Sequence, residues 1–227
     1  MEFNKIYNKG QAQLFRNQNL EYLTKTHPIV IWIIYLPVFI LMPYYAIKAI
    51  EFTGMKTALL FFSGIFFWTF TEYFLHRFIF HHKPKTENGK KINYLIHGNH
   101  HEYPRDRERL FMPPVPSLII ASCFFIVFYF LMNINAIAFF PGFMFGYLLY
   151  GSMHYAIHAW NPPFKWMKPL WRNHHLHHYK HDDLGFGVSS TLWDHVFGTM
   201  YDLKNEKEEE GKVKELKFEK IKMVQKV

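Results

Sequence analysis

Hydrophobic residues in this chain form long uncharged stretches. Residues 29–47 and 57–71 contain no Asp, Glu, Lys or Arg, and residues 110–164 continue for 55 positions without one. A helix needs roughly 20 apolar residues to cross a bilayer, whereas a helix buried in a soluble protein typically has about 10–14. The pattern therefore predicts an all-α integral membrane protein with four transmembrane helices. We expect these helices near residues 29–47, 59–75, 117–132 and 136–155.

Charged residues lie between these stretches and indicate how the chain is oriented. The segment between the second and third predicted spans is rich in basic residues, whereas the opposite side carries only Lys48 and Lys56 near membrane depth. By the positive-inside rule, that segment and both termini are expected on the cytoplasmic side. The predicted domains are a cytoplasmic N-terminal segment at 1–28, a membrane domain at 29–203 and a charged C-terminal tail at 204–227.

The composition excludes several other classes of protein. A single cysteine, Cys123, rules out an internal disulfide framework and any cysteine-built zinc or iron–sulfur site within one chain. The net charge of +8 and the pI near 9.4 would suit nucleic-acid binding. The basic residues lie in the segments between membrane spans, however, so we predict no nucleic-acid partner.

Histidine is unusually abundant, with 15 residues against 12 glycines. Two HxxHH motifs end at His101 and His178, and positions i, i+3 and i+4 share one helix face, so each motif is expected to present three imidazoles to one point. His154 and His158 form an i, i+4 pair. His76 and His81 are five apart, and Pro84 predicts that the helix unwinds there so that His81 turns inward.

These four clusters lie on the same predicted side of the membrane and together supply ten imidazoles. The ten candidate metal ligands are His76, His81, His97, His100, His101, His154, His158, His174, His177 and His178. One tetrahedral zinc takes four ligands, whereas two ions with about five nitrogens each would use all ten. We therefore predict a cytoplasmic, histidine-rich helical cap that holds a dimetal centre. The other five histidines, His27, His82, His175, His181 and His195, are expected to be bystanders.

The ligand type and the setting suggest which metal is bound. Imidazole suits zinc, copper, iron or nickel and argues against calcium or magnesium. A site at the lipid boundary suggests an apolar substrate with unactivated C–H bonds, whose cleavage requires oxygen and a redox-active metal. Two irons are therefore expected in the active protein, although zinc, higher in the divalent affinity order, is able to occupy the site in purified or crystallised protein.

Two further residues are candidates for roles beside the metals. Glu72 precedes His76 by one helical turn, and a hydrogen bond to the far nitrogen of a ligand histidine would stabilise its buried charge. The alternative is a glutamate that merely reaches the membrane boundary. Tyr150 is a candidate for lining the substrate channel, with an interfacial aromatic side chain as the alternative.

Several strings resemble the fatty acid 2-hydroxylase branch of the fatty acid hydroxylase/sterol desaturase superfamily. They are HRFIFH (76–81), HGNHH (97–101), RLFMPP (109–114), HYAIH (154–158), HHLHHYK (174–180), GFGVSS (185–190) and WDHVFGT (193–199). The similarity runs from Thr57 to Tyr201. The resemblance implies four spans, a cytoplasmic cap and the same ten histidine ligands. It also implies insertion of one oxygen atom at carbon 2 of a long acyl chain, free or in a sphingolipid amide, while the other oxygen atom is reduced to water.

The chain departs from the family pattern at two places. Members with their own electron donor carry an N-terminal b-type cytochrome domain with His-Pro-Gly-Gly, whereas His27-Pro28 is followed here by Ile29. We therefore expect a separate electron donor, either a small haem protein or a ferredoxin with its reductase. In the family the tyrosine at Tyr150 is followed by Asp, but here by Gly151.

Two other functions remain open from the sequence. One is a sibling lipid C–H oxidase of the sterol desaturase or carotenoid hydroxylase type. The other is a non-catalytic metal-binding membrane protein, such as a zinc store or transporter. Transport would need histidines spread across the bilayer depth, whereas these cluster at one end of the predicted spans.

Overall fold

The computed structural model describes residues 6–203, and these residues form nine α-helices and no β-strand. The helices are α1 (Gln18–Tyr22), α2 (Pro28–Lys48), α3 (Gly54–Phe74), α4 (Glu87–Asn93), α5 (Asn99–Glu102), α6 (Pro114–Met132), α7 (Ala136–Ala159), α8 (Lys168–Tyr179) and α9 (Leu192–Val196). The predicted charged tail at 204–227 lies outside the described residues.

Three helical stretches are long and apolar enough to cross a membrane. They are Pro28–Lys48, Gly54–Phe80 and Arg107–Ala159. The third, 53 residues long, contains both α6 and α7, which are separated by a 3-10 turn at Asn133–Asn135. Each of the four intervals expected from the sequence falls within one of these helical stretches.

Local chemistry explains where the long helices begin. Pro28 occupies the first turn of α2, where a missing N–H costs nothing, and His27 Nδ1 accepts a hydrogen bond from Ile29 N. Thr53 caps α3 by accepting a hydrogen bond from Lys56 N through its hydroxyl oxygen at 3.1 Å. Both helices begin at polar residues that satisfy amide groups at the helix end.

Helix α7 is the central element, packed against α2, α3 and α6. It meets α3 closely at two glycines, because a Cβ on Gly142 would overlap the carbonyl oxygen of Phe61 and a Cβ on Gly64 would overlap that of Phe139. Small residues at helix contacts are typical of packing in membranes, where backbones must approach closely. Around them the core is aromatic, with Phe143 at its centre.

The outer faces of the long helices are apolar and exposed. Ile33, Phe62 and Phe130 have 63%, 66% and 88% of their surface uncovered. Soluble monomers rarely expose contiguous apolar surface of this kind. The apolar surface therefore agrees with the length and hydropathy of the spans, since lipid is the solvent that such faces require.

Shorter elements form a cap at the end of the bundle where α2 begins and α7 ends. The cap contains α4, α5, α8 and α9, together with the π-helical turns Leu75–Phe80 and Tyr94–Gly98. The N-terminal residues are fastened to it, since Tyr7 N donates to Glu102 O and Thr26 N to Glu108 O, each at 2.8 Å. All ten predicted ligands lie in the cap or at the adjoining helix ends.

Candidate metal centre

The ten histidines selected from the sequence converge into two groups of five. Within each group, one ring nitrogen from every residue lies within 4.8 Å of the others. The first group, which we call site A, contains His76, His81, His97, His101 and His177. The second, site B, contains His100, His154, His158, His174 and His178. Nine of the ten side chains are buried, and His81 is partly exposed.

The expectation that each HxxHH motif presents three imidazoles to one point is wrong. His97 and His101 enter site A, whereas His100 enters site B. In a helix, residues four apart differ by roughly 40° around the axis, while adjacent residues differ by roughly 100°. The i, i+4 pair therefore reaches one site and the intervening histidine reaches the other. The second motif divides in the same way, with His177 alone in site A.

A π-helical turn brings His76 and His81 together. The sequence predicted that the helix unwinds after His76, but Leu75–Phe80 instead widens into a π-helix that ends at His81. His81 N donates a hydrogen bond to His76 O at 3.1 Å, the i to i+5 pairing of a π-turn. The ring centroids of the two histidines consequently lie 5.0 Å apart.

The spacing of the Nε2 atoms fits a shared metal ion better than hydrogen bonds. In site A, His97 Nε2 lies 3.2 Å from His76 Nε2 and 3.0 Å from His101 Nε2. In site B, His174 Nε2 lies 2.8 Å from His158 Nε2 and 3.1 Å from His178 Nε2. Two nitrogens at about 2.1 Å from one ion, at a right angle, would be about 3 Å apart. The histidines could therefore hold one ion in each site.

Backbone carbonyls fix the far nitrogens of two ligands. His76 Nδ1 donates to Phe186 O at 2.5 Å and His177 Nδ1 donates to Leu184 O at 2.7 Å. Because Nδ1 then carries the hydrogen, Nε2 offers its lone pair to the site. Such partners typically orient metal-binding imidazoles.

Glu72 does not form the predicted hydrogen bond to a ligand histidine. Its Oε1 accepts from Val188 N at 2.7 Å and from Ser189 N at 2.9 Å, and its Oε2 accepts from the Ser189 hydroxyl. The far nitrogen of His76 is already paired with a carbonyl, so the carboxylate satisfies amide groups of the next segment instead. The carbonyls of Leu184 and Phe186 could not be predicted as partners of the histidines, because backbone groups carry no residue-type signature.

An apolar cavity of about 600 Å³ ends at the histidines. Tyr150 and Glu72 both line it. His97, His100 and His154 lie at its inner end. The apolar walls include Trp68, Phe111, Ala121, Phe124, Met144 and Tyr147.

The cavity also reaches the outer surface of the chain. Its lining residues Ile79, Ile96 and Ile120 are themselves exposed, with 48%, 48% and 42% of their surface uncovered. Ile120 belongs to α6 and Ile79 to the π-turn after α3, so the apolar lining of the cavity continues onto exposed surface at these elements. An elongated apolar molecule could enter here directly from lipid.

Comparison with known proteins identifies the family. The sequence profile of the fatty acid hydroxylase family matches residues 61–199. The chain belongs to the fatty acid hydroxylase family. A relative in Saccharomyces cerevisiae, named a ceramide very long chain fatty acid hydroxylase, is 42% identical over 85% of this chain and 50% of its own length. The dihydroceramide fatty acyl 2-hydroxylase FAH2 of Arabidopsis thaliana is 35% identical over 85% of this chain and 81% of its own.

A solved structure agrees in fold. It is described as full-length scs7p with only the hydroxylase domain visible, and it is 40% identical, with a TM-score of 0.79 over 85% of this chain and 73% of that one. A second Arabidopsis thaliana relative, FAH1, is named a dihydroceramide fatty acyl 2-hydroxylase and is 44% identical over 60% of this chain. This hydroxylase-family chain spans 58% of the length of FAH1 and half of the length of the Saccharomyces cerevisiae relative.

The predicted bystander histidines stay outside both sites of this hydroxylase-family chain. His175, next to His174, is half-buried, and its ring centroid lies 6.4 Å from that of His158. His27 caps α2. Among residues 6–203, neither site includes any of the five. Within α8, helical phase separates His174 and His178 from His175.

Burial keeps the ligand histidines in the cap neutral. Desolvation lowers the pKa of His97, His100, His101, His174 and His178 well below the ordinary value, with neighbouring histidines adding to the shift. Desolvation lowers the pKa of His177 to about 4, although the Leu184 carbonyl opposes the shift. Neutral imidazole is the form that binds metal, so the fold prepares these residues as ligands.

We expect the metal-free protein to lose stability as the pH falls. Between about pH 6.5 and pH 4, the unfolded chain binds protons at these histidines that the folded chain excludes. The free energy of unfolding should therefore fall by about 1.4 kcal/mol per pH unit for each histidine that stays neutral. Thermal melting of chelator-treated protein in detergent between pH 7.5 and 4.5 measures this. A melting temperature that rises on acidification would contradict it.

Proposed function

We propose that this chain is a membrane-bound, oxygen-dependent acyl-chain 2-hydroxylase that uses a histidine-ligated dimetal site. The observation that supports it best is the pair of five-histidine sites at the inner end of an apolar cavity, in a member of the fatty acid hydroxylase family. The named activities of the relatives supply the position of attack, carbon 2 of an acyl chain. The reaction inserts one atom of O₂ into a C–H bond and reduces the other to water.

The ten histidines would hold two metal ions, one in each site, and we propose iron in the active protein. Bound iron would supply the electron transfer and oxygen activation that amino-acid side chains lack. Five nitrogens per ion would leave room for a further ligand such as oxygen if each ion were six-coordinate. All ten candidate ligands are imidazoles, which suit iron as well as zinc, copper and nickel, and zinc is the competitor in purified protein.

The protein residues position the chain and exclude water. The aromatic and aliphatic walls would bind methylene groups, and the burial of apolar surface contributes about 25 cal/mol per Å². Tyr150, whose ring stacks on His154 with centroids 5.8 Å apart, lies where the chain must pass to reach site B. We propose that Tyr150 guides the reacting end of the acyl chain.

The charge of the cavity favours an amide-linked acyl group over a free acid. Arg109 lines the cavity, but it is ion-paired with Asp106 at 2.6 Å and also with Glu21. Its charge is therefore already neutralised within the protein. A sphingolipid amide needs hydrogen bonds but no counter-ion, so we propose a sphingolipid-type acyl amide as the preferred substrate.

Lipid analysis tests this function directly. The chain is expressed in a host without 2-hydroxy lipids, and acyl amides and free acids are analysed by mass spectrometry. We expect 2-hydroxy acyl species with the parent and with His82→Ala, and none with His81→Ala, because His81 belongs to site A and its neighbour does not. Accumulation of an oxidised sterol or carotenoid instead would favour the sibling oxidases, and binding of metal without oxygen consumption would favour a non-catalytic role.

The electron donor is proposed to be a separate protein, either a small haem protein or a ferredoxin with its reductase. Purified, iron-loaded protein is combined with acyl amide in lipid nanodiscs and with each donor system in turn. Product should form with at least one reduced donor and not with its oxidised form. Product formation without any added donor would contradict the proposal.

We further propose four spans, α2, α3, α6 and α7, with the cap and the N-terminal segment on the cytoplasmic side. The basic segment between α3 and α6 supports this orientation. In a Cys123→Ser background, a cysteine at Asn88 should react with an impermeant thiol reagent only after permeabilisation. A cysteine at Asn135, in the turn between α6 and α7, should react in intact cells. The reverse labelling would overturn the orientation.

A further inference from the structure

The segment Leu184–Ser190, which we call the anchor loop, hydrogen-bonds to ligands of site A alone. Its carbonyls at Leu184 and Phe186 accept from His177 and His76, both members of site A. Within the described part of the chain, the anchor loop forms no hydrogen bond to a histidine of site B. The two sites therefore differ in the groups that surround them.

Two buried acids hold the anchor loop in place. Glu72, from α3, accepts from the amides of Val188 and Ser189. Asp194, from α9, is fully buried and accepts from Phe186 N at 2.9 Å and from Gly187 N at 2.8 Å. Four consecutive amides of one loop are thus bound to two carboxylates that lie on different helices.

The anchor loop is closely packed and uses glycine at two positions that a side chain would not fit. A Cβ on Gly187 would overlap the carbonyl oxygen of Ser190 and lie 2.7 Å from Asp194 Oδ2. Gly185 has a φ of +68°, a conformation that side chains rarely adopt. Asp194 Oδ1 also accepts from the Thr199 hydroxyl at 2.8 Å, so the same carboxylate holds the residues that follow α9.

We propose that Glu72 and Asp194 are positioning residues for the metal ion of site A, acting through the anchor loop and leaving site B unaffected. By holding the amides, they set the carbonyls of Leu184 and Phe186 against the Nδ1 atoms of His177 and His76. Those carbonyls aim the two Nε2 atoms at the ion. The inference rests on the proposed metal centre, and it states that only site A depends on the anchor loop for the orientation of its ligands.

In site B, two of the candidate ligands, His174 and His178, lack the corresponding support. The Nδ1 atoms of His174 and His178 are buried and have no hydrogen-bond partner among the described residues. These rings are held by the backbone of α8 and by packing against their neighbours. A change in the anchor loop should therefore reach site A and spare site B.

Metal titration separates the two sites. Cobalt(II) is added anaerobically to purified, metal-free protein with a competing chelator, and two dissociation constants per chain are fitted. His101→Ala and His158→Ala, which each remove one ligand, assign the constants to site A and site B. Mutating a group that hydrogen-bonds to a metal ligand typically weakens metal binding by about 10–100-fold. We expect Asp194→Asn and Glu72→Ala to weaken site A by that factor and to leave the site B constant unchanged.

Conservative variants and a matched control accompany these changes. Glu72→Gln keeps an oxygen that accepts from the two amides, so the cobalt affinity of site A should stay like that of the parent. Ser189→Ala removes only the hydroxyl donor to Glu72, so it should weaken cobalt binding at site A less than Glu72→Ala does. Asp106→Asn is the control, because Asp106 is also buried and multiply bonded but does not contact the anchor loop. It should leave both constants unchanged.

Each result decides the proposal. Equal weakening of both sites, or no change at site A in Asp194→Asn and Ser189→Ala, would overturn the inference while leaving the dimetal centre intact. A parent chain that binds fewer than two cobalt ions would overturn the metal centre itself, and the inference with it. The retained site B constant shows that a variant is folded.

Discussion

His174→Ala is expected to abolish product formation and to remove one metal ion per chain. His174 is fully buried, and its Nε2 lies within 3.1 Å of the Nε2 atoms of both His158 and His178. Loss of this nitrogen leaves site B with four ligands and a gap at its centre. Mutating a group that only hydrogen-bonds to a metal ligand typically lowers metal affinity or activity by about 10–100-fold, so removing a ligand itself should cause a larger loss. Iron content by elemental analysis and 2-hydroxy product by mass spectrometry measure the two effects.

His175→Ala is the matched control for this prediction. It makes the same chemical change one position along α8, on a half-buried side chain that belongs to neither site. Two ions per chain and parent-like product formation are expected. If both variants lost activity equally, the change would act through α8 as a whole and the assignment of His174 to site B would fail.

Gly142→Ala is expected to destabilise the bundle strongly. A Cβ at this position overlaps the backbone of Phe61 on α3, and backbone cannot move aside as a flexible side chain does. Overpacking of this kind typically costs about 1–3 kcal/mol and occasionally more. For a domain of this size that corresponds to a fall of roughly 2–12 °C in melting temperature. Thermal melting in detergent, followed by tryptophan fluorescence, measures it.

Gly54→Ala provides the comparison. Gly54 begins α3, and a Cβ there has no heavy atom within 4 Å. Alanine also favours helix more than glycine does, so the melting temperature should stay the same or rise slightly. An equal fall in both variants would show that the effect comes from loss of glycine flexibility rather than from the contact between α3 and α7.

The long helices and the histidines that come together were predictable from the sequence. Uncharged stretches place helices because each apolar span must satisfy its own backbone in lipid. The ten candidate ligands could be selected because they fall in closely spaced clusters, in which i, i+4 pairs share a face although the whole HxxHH motifs do not. His175 and His174 are adjacent and chemically identical, yet the spacing alone distinguishes them correctly.

The division into two sites was not predictable from the sequence. Whether His100 joins His97 or crosses to His154 depends on where the neighbouring helices lie, which is a tertiary property. The π-turn at His76 was not predicted either, because a widened turn and an unwound helix can both bring His81 next to His76 before Pro84. Glu72 is a buried acid with hydrogen-bond partners, but the donors are backbone amides of a loop more than 100 positions later in the chain and not a ligand histidine.

The exposed apolar lining of the cavity has a consequence for how this protein should be assayed. If substrate enters between α6 and the turn after α3, it arrives by diffusion within the plane of the membrane. The rate then depends on the mole fraction of substrate in the bilayer, and diluting the membranes in buffer leaves it unchanged. Adding inert lipid, by contrast, lowers the rate at constant bulk concentration, so the Michaelis constant belongs in units of surface concentration.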